Sequence, residues 1–107
     1  MFELSDNIPF DTVMEGVEKK TLVYGDRTLM TVFRLKKGSA IPSHAHPHEQ
    51  TGYLVSGRIQ LTVAEQVFDA AAGAGWSIPG DVDHSAVCLE DAVALEVFAP
   101  VREDYLP

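Results

Sequence analysis

Three of the four histidines of this 107-residue chain fall within one short string, His44-Ala45-His46-Pro47-His48-Glu49-Gln50. Imidazole is the commonest metal-ligating side chain. On an extended strand, residues two apart share a face, so His44 and His46 can aim at one point. The competing structural reading is a polar loop with solvated histidines. A second focus lies near the end of the chain. In Val93-Ala94-Leu95-Glu96-Val97-Phe98, the even positions Ala92, Ala94, Glu96 and Phe98 share one face. A carboxylate on so apolar a face is costly unless it is paired or has chemical work to do. Arg102 follows four residues after Phe98. The pair can be a Glu96–Arg102 ion pair that closes a barrel, or a general acid/base beside a guanidinium that grips a substrate carboxylate.

The elements that must carry these groups read as short strands. Thr21 to Tyr24 and Thr28 to Leu35 flank the turn signal Gly25-Asp26. Thr51 to Val55 and Arg58 to Val63 lie on either side of Ser56-Gly57, and Ile59, Leu61 and Val63 alternate with Arg58, Gln60 and Thr62. Gln66 to Asp69, Trp76 to Ile78, His84 to Leu89 and Val93 to Phe98 follow. No segment has sustained helical periodicity, although Arg102 to Leu106 can form one terminal turn. Short strands at regular spacing with Gly, Pro and Asp between them predict an all-β sandwich or barrel. The face of the last strand made by Val93, Leu95 and Val97 needs cover, from N-terminal residues or from a second subunit.

Charge and composition narrow the functional classes. With 8 Lys+Arg against 16 Asp+Glu, the net charge is −8 and basic residues are not clustered, which argues against nucleic acid or an anionic membrane as partner. The longest apolar run, Ala70 to Trp76, is far shorter than a membrane span. Met1 to Asp6 lacks a basic region followed by an apolar one, so the expected location is the cytoplasm. The single cysteine, Cys88, closes no intrachain disulfide and reads as a small core residue. One domain, residues 1–107, is the expectation at this length.

The frame around the histidines resembles the cupin superfamily. Gly38, His44, His46, Gln50 and Gly57 follow its first motif over residues 38–57, with glutamine where many members have glutamate. Gly73, Pro79 and His84 follow its second over 73–88, with Asp81 in a glycine position and Cys88 where asparagine is common. The resemblance implies a double-sheet jelly-roll barrel and a divalent metal (zinc, nickel, cobalt, manganese or iron) held by His44, His46, Gln50 and His84, with His48 outside the ligand set. Neutral ligands leave the cation's charge available for Lewis-acid chemistry. The His46–Gln50 string and the Glu96, Phe98, Arg102 series further resemble the KdgF family of small cupins, which act on 4,5-unsaturated uronates in pectin and alginate breakdown. That family carries aspartate where Glu96 stands. The resemblance implies conversion of a cyclic unsaturated uronate to its linear keto-aldehyde. Arg102 would hold the carboxylate, Glu96 would shuttle protons and Phe98 would wall the substrate; for Phe98, Trp76 and Tyr53, core packing competes with that role. It also implies a homodimer. Two other readings stand beside it: a dioxygenase using ferrous iron and O₂, and a non-catalytic cupin that binds metal and sugar.

Overall fold

A computed structural model describes residues 1–107. After a 3-10 turn at Ser5–Asn7, eight strands follow: β1 Asp11–Met14, β2 Val17–Tyr24, β3 Leu29–Leu35, β4 Ala40–His44, β5 Glu49–Val63, β6 Gln66–Ala71, β7 Gly75–Ile78 and β8 His84–Ala99. A second 3-10 turn, Glu103–Tyr105, stands where the sequence suggests one terminal turn. Every strand pairing is antiparallel, in the order β1-β2-β3-β8-β5-β6, with β4 added to β8 and β7 added to β5.

The long strands β5 and β8 explain how one ladder makes a double-sheet barrel. They pair from Glu49↔Ala99 to Val63↔His84, and their two halves serve different neighbours. The Gln50–Tyr53 stretch of β5 takes β7 on its other side, and the Ala92–Phe98 stretch of β8 takes β3. Beyond the middle, Arg58–Val63 takes β6, and His84–Val87 takes β4. The sequence suggests separate strands on either side of Ser56-Gly57, and of Leu89 and Val93. The chain instead runs through both regions, with register shifts between Leu54 and Ile59 that bend the ladder. Gly57 makes this possible. Its φ is +85°, and a Cβ there would lie 2.1 Å from the Asp91 carbonyl oxygen and 2.6 Å from Ala92 Cα.

The bulge also changes which residues of β5 face inward. Gln50 and Leu54 are buried before it, Ile59 and Leu61 after it, so the inward phase moves from even to odd positions. In β8 the even phase holds on either side of an exposed Glu90: His84, Ala86 and Cys88, then Ala92, Ala94, Glu96 and Phe98 are buried. The apolar side chains among these, with Val17, Leu35 and Ile78, belong to the core. Burying each large apolar side chain contributes roughly 1.5–3 kcal/mol.

On the outer face, the N-terminal segment forms a strap against Lys20 of β2 rather than a second sheet over β8. Lys20 Nζ donates to the carbonyls of Ser5 (2.6 Å) and Ile8 (3.2 Å) and lies 4.3 Å from the Phe10 ring centroid. Val93, Leu95 and Val97 remain half-buried, and Tyr53, paired with Leu95, is exposed.

Candidate metal centre and active site

The three histidines reach one point by different routes, His46 and His84 buried and His44 exposed. His44 ends β4 and is paired with His84, the first residue of β8. His46 is not on a strand, so period-two alternation is not what aims it. It sits in the loop between β4 and β5, where its carbonyl accepts the Asp81 N–H at 2.8 Å. That loop is pressed onto the turn before β8: a Cβ on Gly80 would fall 2.3 Å from the Pro47 carbonyl oxygen. Asp81 has φ +64°, in the left-handed region that favours glycine and that aspartate tolerates better than most residues. The glycine-to-aspartate departure thus keeps the turn that holds His46.

The rings of His44 and His84 lie 4.2 Å apart, those of His46 and His84 5.0 Å, and those of His44 and His46 5.7 Å. Their ligating nitrogens all lie within 4.8 Å of one another, so the three can hold a metal ion. Their tautomers agree with that. Each Nδ1 lies 2.9 Å from a backbone carbonyl oxygen: Pro42 for His44, His48 for His46 and Val82 for His84. A carbonyl only accepts, so each Nδ1 carries the proton and each neutral ring keeps its Nε2 lone pair free. His84 Nε2 is buried with no hydrogen-bond partner. Burial lowers the pKa of His84 and of His46, with nearby Arg102 acting in the same direction on both, which favours the neutral rings.

Gln50 completes the cluster. Its Nε2 donates to Glu96 Oε2 at 3.1 Å, which turns its Oε1 to within 2.8 Å of His46 Nε2. Two lone pairs therefore face each other. The Gln50 oxygen thus lies beside the His46 nitrogen, where the two can be ligands of one cation. His48 stands aside: its carbonyl serves His46, its ring lies 5.6 Å from that of His46, and its Nδ1 is buried without a partner.

Glu96 is buried on β8 and accepts from Gln50 and from Trp76 Nε1, the latter at 2.9 Å. Burial pushes its carboxyl up to about 7, against the opposing pull of the Trp76 and Gln50 donors. It forms no ion pair with Arg102. The guanidinium instead spends one edge on Asp104, Nε to Oδ1 at 3.1 Å and Nη2 to Oδ2 at 2.9 Å, and stacks 3.9 Å from the Tyr105 ring centroid. Arginine has five N–H groups, so three remain for another partner. Phe98 is fully buried, with His46 5.7 Å and Tyr105 5.4 Å away between ring centroids, and the Arg102 guanidinium 5.2 Å from its ring.

A cavity of about 290 Å³ gathers these groups. His44, Gln50, His84, Glu96, Arg102 and Tyr105 line it together with apolar residues from both halves of the barrel, and Glu96 is the one acidic residue among them. Sequence reasoning missed Asp104 and Tyr105 as partners of Arg102, and Trp76 as a donor to Glu96. Only Gly52 signalled the last: glycine inside a strand marks a close approach.

An antiparallel double-sheet barrel that carries a cluster of three histidines defines the class. Residues 31–99 match the cupin domain family, and the chain belongs to it. Within that family it is 24% identical over 105 residues to the pectin degradation protein KdgF of Dickeya dadantii (strain 3937), covering 96% of both chains. Among solved structures, KdgF from Halomonas sp. superposes with a TM-score of 0.95 at 24% identity, covering 99% of this chain and 98% of that one. An RmlC-like cupin from Shewanella frigidimarina NCIMB 400 gives 0.93 at 27% identity, covering 98% and 95%. No helix is long and apolar enough to cross a membrane.

Proposed function

We propose that this cupin converts cyclic 4,5-unsaturated uronates to their linear keto-aldehyde forms, with a divalent cation held by His44, His46, His84 and Gln50. The observation that carries the reading is the convergence of three imidazoles, whose ligating nitrogens lie within 4.8 Å of one another, with a buried carboxyl and a half-engaged arginine, beside a cavity lined by His44, His84, Gln50, Glu96 and Arg102. Similarity to KdgF proteins over nearly the whole chain supports the substrate class.

When bound, the cation supplies Lewis-acid stabilisation of negative charge on a substrate oxygen. Arg102 receives the uronate carboxylate on the edge that Asp104 leaves free, and Tyr105 keeps the guanidinium plane in place. Opening the ring moves one proton. The hydroxyl proton of the hemiacetal carbon leaves, the bond from that carbon to the ring oxygen breaks, and the resulting enol becomes a ketone when C4 is protonated. No atom is gained or lost. Glu96 is placed to carry that proton, and a carboxyl titrating at about 7 both takes and returns one near neutrality. Phe98 and Trp76 limit water around it.

The conjugated double bond disappears in the product, so ultraviolet absorbance follows the reaction directly. Wild-type protein is expected to remove the absorbance, chelator to stop it, and Glu96→Ala and Arg102→Ala to slow it by at least about 10²-fold. Unchanged rates in both variants refute these roles. Oxygen uptake by iron-loaded protein would replace the reading with oxidative cleavage, and ligand-induced stabilisation without product with a binding role.

The fold also supports a single-domain homodimer in which the outer face bearing Tyr53, Val55 and Leu95 is covered by a second copy; both the exposed Tyr53 and Val55 lie on β5. Light scattering at twice the 11.7 kDa chain mass is the expected result, and the mass of one chain refutes it.

A further inference from the structure

Trp76, Gly52 and Glu96 lie side by side across three neighbouring strands. Gly52 pairs with Trp76 on β7 and with Glu96 on β8. Any side chain at position 52 would stand between them: a Cβ there would fall 2.1 Å from Trp76 Nε1 and 2.2 Å from Cε2. The indole occupies the space that the missing side chain leaves, and reaches across β5 to donate to Glu96 Oε1 at 2.9 Å. One row further along, Gln50 sits between Ile78 and Phe98 and donates to the other oxygen of the same carboxylate. Two donors from two strands, one on each oxygen, fix the plane of Glu96. With Nε2 so engaged, Gln50 has only its oxygen to turn toward His46.

We propose that Trp76 is a positioning residue: reaching through the gap at Gly52 it pins Glu96, and Glu96 in turn pins the Gln50 amide with its oxygen toward the three imidazoles. This deepens the reading above and rests on its ligand set. An unpinned amide rotates freely, and its NH₂ end offers a cation a donor in place of a lone pair. Partners of metal ligands are worth about 10- to 100-fold in affinity. Trp76 acts at one further remove, so the low end of that range, about tenfold, is expected.

The test is calorimetric titration of chelator-treated protein with Zn²⁺ or Ni²⁺, with the melting temperature of the metal-free protein as the folding control. Trp76→Phe keeps an aromatic ring and loses the N–H; its Kd is expected to rise about tenfold. Gly52→Ala, which displaces the indole, is expected to do the same in the wild type and to add nothing in a Trp76→Ala background. Trp76 is the only tryptophan. Its single indole N–H resonance is therefore an independent reporter, expected to be protected from exchange and displaced by Glu96→Ala. A Trp76→Phe Kd within about twofold of wild type, or an indole resonance indifferent to Glu96→Ala, overturns the proposal; the former outcome holds even if Gly52→Ala folds poorly. Neither readout needs turnover. Absent uronate conversion with weakened metal binding in Trp76→Phe refutes the substrate reading alone, and a wild-type protein that binds no metal refutes the ligand set.

Discussion

Replacing Glu96 by glutamine removes a buried charge at nearly constant volume, and metal-free protein should show a definite pH signature of that loss. Burial raises the folded-state pKa from 4.5 to about 7. Below 4.5 the carboxyl is protonated in both states. Between the two values the unfolded chain ionises while the folded chain keeps its proton, so stability falls as pH rises and levels off above about 7. At about 1.4 kcal/mol per pH unit, that interval amounts to about 3 kcal/mol. His46 and His84 act in the opposite sense, because their depressed pKa values contribute stability that is lost as pH falls below 6.5. They are common to both proteins and cancel in the difference. Glutamine also has one acceptor oxygen where the carboxylate serves two donors, Trp76 and Gln50. That mismatch costs about 1–3 kcal/mol at every pH and is a constant offset. Urea denaturation of chelator-treated wild type and Glu96→Gln should therefore show the wild type losing about 2–3 kcal/mol relative to the variant between about pH 5 and about pH 8. Parallel profiles would show that Glu96 is not held in a desolvated site, and the acid/base reasoning would go with it.

Zn²⁺ or Ni²⁺ at about a hundred times its Kd should stabilise the wild type by about 2.7 kcal/mol, measured by thermal melts, and His84→Ala should abolish the effect. Because burial depresses His46 and His84, this stabilisation should persist somewhat below pH 6.5 and vanish as both rings protonate. Arg102→Lys loses the planar fork that serves Asp104 and, in the proposed reaction, would take the substrate carboxylate; KM in the uronate assay should rise at least about tenfold, with a smaller change in kcat. An unchanged KM would place the substrate carboxylate elsewhere. Gly57→Ala introduces a Cβ against the Asp91 carbonyl at a φ of +85°, and should destabilise the metal-free fold by at least about 1–3 kcal/mol in urea, whereas Gly25→Ala, with open space around it, should not.

Much of the architecture was legible in the chain because strand alternation is a local property. Ile59, Leu61 and Val63 against Arg58, Gln60 and Thr62, and the even face of Ala92 to Phe98, reveal strands and an inward Glu96 without reference to any partner. The spacing of His44 and His46 likewise marks a pair of imidazoles by residue type and interval, whereas Gln50 and His84 join them only through the resemblance to cupin motifs. Local pattern carries no information on what lies across the sheet. Gly57 lets the inward phase of β5 change between Leu54 and Ile59, a slip that depends on how closely β8 approaches at Asp91 and Ala92. His46 is aimed by a loop packed on Gly80 and Asp81, more than thirty residues away in sequence, and not by the strand alternation that its spacing from His44 suggests. Arg102 has Glu96, Glu103 and Asp104 near it in the sequence, and only the turn of the chain after β8 gives it to Asp104. The contact from Trp76 to Glu96 exists because register sets Gly52 between them. Alternation and composition thus specify strands and their polarity from neighbouring residues alone, while the partners of each polar atom follow from register, bulge and close approach, which exist only once distant segments are packed.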